Sequence, residues 1–149
     1  MPATTTPIVA TDCVISIDNA AGVLTDISGS SNTASISLEH GLGRARVFGL
    51  QWNITRVVGK DASIELKVVY TPTATEGWQL LKNWFFGGTD TPRTVQIDIP
   101  DGLPGSDRYT GEFVIENADI PLDAGADELV MCTVSLKPDL AVSTATIGT

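Results

Sequence analysis

Few residues of this 149-residue chain are equipped for chemistry. It has one histidine, His40, and two cysteines, Cys13 and Cys132. His40 stands in the stretch LEHGLGRARVFG (38–49), between Glu39 and Gly41, where an imidazole base would lack the rigid support that proton transfer needs. No serine sits in a G-x-S-x-G elbow, so an activated hydroxyl nucleophile is not indicated. Zinc requires Cys and His at short spacing, and two cysteines 119 positions apart do not provide it. In DIPDGLPGSD (98–107) prolines stand where a calcium loop needs ligands, so the segment reads as a turn-rich loop. No phosphate-binding loop or dinucleotide fingerprint occurs, and nothing among the 18 acids singles out a glycosidase pair. The expectation is a protein that is not an enzyme and carries no metal or cofactor. Both cysteines are expected as reduced thiols packed in strands.

The same stretch 38–49 suits a different task. Arg44 and Arg46, two of nine basic residues, lie beside an apolar Val47-Phe48 pair and among glycines. Arginine and aromatic residues are enriched at protein interfaces, and glycine lets a loop adapt to a partner. A solvated loop is the plainer alternative. The chain as a whole is acidic, with a formal net charge of −9. Residues 98–128 hold nine carboxylates against one base, Arg108, a local net of −8. That balance opposes ordinary nucleic-acid binding, which depends on clustered Lys and Arg. It fits a solvated face, a surface that repels a polyanion, or a partner for basic groups on another copy.

The elements that would position these residues are mostly strands. Hydrophobic residues make up 42% and charged residues 18%, as in one ordinary globular domain, and no apolar run is long enough to span a bilayer as a helix. The opening MPATTTPIVATD lacks the features of a secretory leader and reads as an arm over 1–11. Alternation predicts strands at 12–18 and 23–28 around the turn Asn19–Gly22, then at 33–39, 50–58, 62–71, 93–99, 108–117 and 127–137. A flexible loop is expected over 39–49, a tight turn at Gly59-Lys60-Asp61, and a tail over 138–149 that would not fold alone. One helix is expected, capped by Thr73 and Glu76, with Trp78, Leu81 and Phe85 as its core stripe, Leu80 and Trp84 widening it, and Gly87-Gly88 ending it. Without βαβ repeats, the fold class is mainly β: an antiparallel sandwich or barrel-like domain, residues 1–149, with one flanking α-helix.

This layout resembles the major tail tube proteins of tailed bacteriophages over nearly the full length. The resemblance rests on the arm, the hairpin CVISIDNAAGVLTDISGSSN (13–32), the Gly/Arg loop (39–49), the helix opening TATEGWQLLKNWF (73–85) and the ending SLKPDLAVSTATIGT (135–149). Asp139-Leu140 departs from it, since a glycine would be more typical after the aspartate. The resemblance implies a structural virion protein that forms hexameric rings, the sheets joining into one barrel around a lumen. Stacked rings would make the tube through which double-stranded DNA leaves the capsid, without being specifically bound. It further implies tape measure, tail tip and terminator proteins as partners, assembly in the bacterial host cytoplasm, a place in the virion tail, and no membrane. Arg44, Arg46, Val47 and Phe48 are the expected assembly contacts. Asp18, Asp26, Glu65 and Asp98 are the expected lumen-facing acids. The inner tube of a contractile injection machine is a variant of this reading, and a monomeric carbohydrate-binding or adhesion module the alternative.

Overall fold

Period-two alternation carries most of the chain into a single antiparallel sheet. The computed structural model describes residues 7–87, 91–125 and 128–148. Its strands are β1 (Val14–Asp18), β2 (Leu24–Asp26), β3 (Ser31–Ala45), β4 (Ile54–Val69), β5 (Arg93–Ile99), β6 (Asp107–Asp119), β7 (Met131–Pro138) and β8 (Ser143–Thr146). The spatial order is β2-β1-β5-β6-β7-β4-β3, with β8 paired to β6. One helix, α1 (Gly77–Phe86), flanks the sheet, so the mainly β antiparallel expectation holds. The sheet is not closed into a barrel within the subunit.

One sheet face and the helix make the core. Ile15 and Ile17 of β1, Val95 and Ile97 of β5, Phe113 of β6, Val134 and Leu136 of β7, and Ile64, Leu66 and Val68 of β4 form one buried cluster with Trp78, Leu80, Leu81 and Trp84. The sheet curls, for Ile15 of β1 and Ile97 and Ile99 of β5 line one cleft with Ala34 and Ile36 of β3, which stands at the other end of the order. Polar bonds hold the curl near the start of α1. Asp26 Oδ1 accepts from the Ser28 amide and hydroxyl at 2.8 and 2.6 Å, while Ser28 Oγ accepts from the Ile15 amide at 2.8 Å. Ser30 Oγ then accepts from the Gly77 amide at 2.9 Å, satisfying one of the free donors of the helix start.

Several local expectations need correction. The helix begins at Gly77, and its cap residue Glu76 makes no side-chain cap bond, so the Thr73–Glu76 box does not form. Thr73 instead donates its amide to Thr71 Oγ1 at 3.2 Å, and Ser30, 47 residues upstream, caps in its place. Phe85 is exposed, whereas Trp84 is buried, with its Nε1 donating to the Thr91 carbonyl at 3.2 Å. Gly87 ends the helix; Gly88 lies outside the described residues, as do Met1–Thr6 of the arm. Gly59-Lys60-Asp61 is not a turn but the middle of β4, each residue paired with β3. Residues 50–53 precede β4 rather than belonging to it, and β7 starts at Met131. In the tail, Ser143–Thr146 pairs with Thr110–Asp107. Cys13 lies just before β1, not in a strand, and is half-buried, whereas Cys132 is fully buried in β7; both are free, and β1 and β7 are separated by β5 and β6. Burial pushes both thiols up from their ordinary pKa, with nearby carboxylates adding to the effect.

Candidate assembly surface

The expected loop over 39–49 is the point of largest difference. Residues Glu39–Ala45 continue β3 and pair with Asp61–Ile54 of β4, so the connection proper is only 46–53. Two glycines make this possible. Val58 is the extra residue of a bulge and lies over them: a Cβ at Gly43 would stand 2.9 Å from Val58 Cγ1, and one at Gly41 would stand 3.6 Å from Cγ2. Strand β7 pairs only with Ile64–Val69 of β4, so Ile54–Ser63 has β3 as its single strand neighbour. At ~3.3 Å per residue these ten residues make a two-stranded ribbon roughly 30 Å long.

The tip of the ribbon is apolar and in water. Phe48 is fully exposed, Trp52 is 84% exposed, and Leu42, Val47, Leu50, Val57 and Val58 are exposed as well. Arg44, near the end of β3, pairs with Thr55 across the ribbon; Arg46, Val47 and Phe48 lie in the connection, and all four are exposed. The structure thus brings the four expected contact residues to one tip. It adds Leu42, Trp52, Val57 and Val58, which sequence reading did not group with them because it placed 50–58 in one strand and 39–49 in a loop. A two-stranded hairpin is marginal alone in water. Like charges also face each other across this one, Glu39 opposite Asp61, which weakens it further. His40 lines a cleft of about 450 Å3 between the ribbon base and Pro138–Val142.

The four expected lumen acids all fall on the sheet face away from the core, by strand parity, but they are not equivalent. Glu65 is exposed in mid-β4, between Ser35 and Ser135 on the neighbouring strands. Asp26 spends its carboxylate on Ser28. Asp18 ends β1 half-buried, its carbonyl accepting from Arg93 Nη1 at 3.2 Å. Asp98 departs from the expectation of a free charge. It is buried, bidentate with Arg108 at 2.8 and 3.0 Å, and covered by the loop that contains Gly102. That hydrogen bonding raises the pKa of Arg108. Asp101 pins the same loop by accepting from Ser106 Oγ at 2.7 Å and the Leu103 amide at 3.0 Å, which hold its carboxyl below the usual range.

At the level of sequence, no protein-family model and no curated protein matches the chain. Solved structures do. A chain of the anti-feeding prophage baseplate, 6-fold symmetrised, superposes with a TM-score of 0.75 at 16% identity, covering 97% of this chain and 99% of that one. A chain from the tail of the empty gene transfer agent particle, refined with C6 symmetry, gives 0.69 at 18% identity over 91% and 96%. The SPP1 tail tube gives 0.67 at 14% identity over 96% and 81%. The protein therefore shares the fold of these tail-tube and baseplate chains.

Proposed function

We propose that this chain is the structural subunit of a tail tube, whose copies close into rings and stack. The observation that carries the reading is the ribbon of β3 and β4, which leaves the body of the sheet and presents an apolar, arginine-bearing tip to water. Such a surface on a chain of this size calls for a partner. The open sheet supports the same reading, because the 15-residue edge strand β3 offers unpaired backbone groups that a neighbouring subunit would satisfy. A tip that meets a different patch on the next copy makes a heterologous contact, the kind that generates rings and stacks. Six subunits per ring is the symmetry that fits the six-fold assemblies with which the fold is shared.

The polar sheet face then lines the lumen. Glu65, Glu39 and Asp61 on that face repel phosphates, so double-stranded DNA slides without being gripped. Asp18 and Asp26 add to the field from the far end of the sheet. Tape measure, tail tip and terminator proteins would be the partners at the tube's axis and ends, in a virion tail assembled in the bacterial host cytoplasm. The similarity to a chain of the extracellular contractile injection system sheath-tube complex, TM-score 0.69 at 15% identity, favours one second reading, the inner tube of an injection machine.

Arg44→Glu combined with Phe48→Ala tests the ribbon's part. Both positions are exposed, so the circular dichroism spectrum and melting point should match the parent. Electron microscopy should show tubes from the parent and none from the variant. Parent-length tubes from the variant would remove the ribbon tip from the assembly.

A further inference from the structure

The ribbon leaves the body of the sheet at a level where several weakening features coincide. From Ile64 to Val68, β4 has a strand on both sides. From Ser63 outward, β3 is its only strand neighbour among the described residues. Glu39 then faces Asp61, two carboxylates directly across the ladder. Two pairs further out Gly41 faces Gly59, and the bulge at Val58 follows at once. Beyond it, Leu42–Ala45 pairs with Val57–Ile54 in unbroken register. A weak segment, Glu39–Gly41 with Val58–Asp61, therefore lies between two regular ones.

The glycines are the sharper observation. Gly43 has to be glycine, because a Cβ there would stand 2.9 Å from Val58 Cγ1. Gly59 does not, since a Cβ would meet nothing within 4 Å. At Gly41 the nearest atom would be Val58 Cγ2 at 3.6 Å, an ordinary van der Waals distance. Neither Gly41 nor Gly59 has a positive φ. Glycine inside a strand loses the most conformational entropy on folding and packs nothing. Two of them face to face, with room for a methyl group on each, are a cost that this conformation does not require. A second conformation does, one reached through backbone angles that a side chain would hinder. Space for it is present. The cleft of about 450 Å3 beside this level separates Leu38, His40 and Lys60 of the ribbon from Leu140, Ala141 and Val142. Among the described residues no hydrogen bond or ion pair crosses that cleft.

We infer that Glu39–Gly41 and Val58–Asp61 form a hinge about which the outer ribbon, residues 42–57, swings as one body toward and away from residues 138–142. A few residues that absorb the backbone change between rigid parts are the usual form of a hinge. A swing of about 30° carries Ala45, roughly 15 Å from Gly59 at ~3.3 Å per residue, through about 8 Å. The free subunit thus samples several directions for its tip, and assembly selects one. That purpose rests on the tube reading above, whereas the hinge itself does not.

Paired spin labels measure the swing. In a Cys13→Ser chain, where Cys132 is fully buried, labels on Ala45→Cys and Lys82→Cys report the distance from the outer ribbon to α1. Dilute solution, at the 15.7 kDa mass of one chain by light scattering, keeps the result independent of tubes. The parent should give a distribution spread over about 8 Å. Gly41→Ala with Gly59→Val puts side chains into open space, so circular dichroism should be unchanged while the spread falls to about half. A control pair within the body, Lys82→Cys with Asp107→Cys, should be narrow in both chains. A parent ribbon pair as narrow as the control, or equal widths in the folded parent and glycine variant, would overturn the hinge. In tubes the parent ribbon pair should narrow to one distance, and tubes in which it stays broad would overturn the selection by assembly. A broad parent pair in a chain that never forms tubes would overturn the tube reading and leave the hinge standing.

Discussion

At the residue scale the most consequential pair is Asp98 and Arg108. A carboxylate this deeply covered is tolerated because a half-exposed guanidinium meets both of its oxygens. Arg108→Met leaves the charge buried and unpaired, and should cost about 2 kcal/mol in urea unfolding at neutral pH. Adding Asp98→Asn should recover most of that loss, because an amide no longer demands a counter-charge. The four expected lumen acids thus divide by what their oxygens already do. Glu65 has solvent before it, whereas Asp26 and Asp98 are occupied within the subunit. None of this division was legible in sequence, since Asp98 and Arg108 stand ten positions apart and meet only when β5 pairs with β6.

At the scale of elements, the junction of α1 with Ser28–Ser30 sets the curl of the sheet. A Cβ at Gly77 would stand 2.7 Å from Ser30 Oγ and 3.3 Å from Ile27 Cβ. Gly77→Val should therefore push the helix off its seat and cost about 2 kcal/mol in thermal unfolding. Gly59→Ala, which meets nothing within 4 Å, should stay within about 0.5 kcal/mol of the parent. Elements with a strong local signal were legible: β5 runs over the seven residues its alternation marks, and the turn before β2 follows from Asn19, whose Oδ1 accepts from the amides of Ala21 and Val23, and from Gly22 at φ 75°. The ribbon was not, because glycine and arginine at 41–46 carry loop propensity that pairing with a complementary strand overrides. The helix face was half legible. Spacing alone could not say whether Trp84 or Phe85 meets the sheet; in the fold Trp84 joins the core cluster, with Arg93 from β5 over its ring, and Phe85 faces water.

At the scale of the whole molecule, an acidic chain, a curled open sheet and a ribbon longer than the subunit needs are accounted for together by assembly. The long edge of β3 and the apolar tip are liabilities in a monomer and contacts in a tube. Legibility at this scale came from layout: arm, hairpin, helix and ending together point to the tube fold, while the ribbon depends on the pairing of β3 with β4, which no local signal carries. The account's central claim is that the protein builds a hollow tube from itself. Electron microscopy of the purified chain across a concentration series, with light scattering for mass, tests it most directly. The account predicts rings and hollow tubes that lengthen as concentration rises. A particle that keeps the mass of one 15.7 kDa chain at every concentration would contradict it.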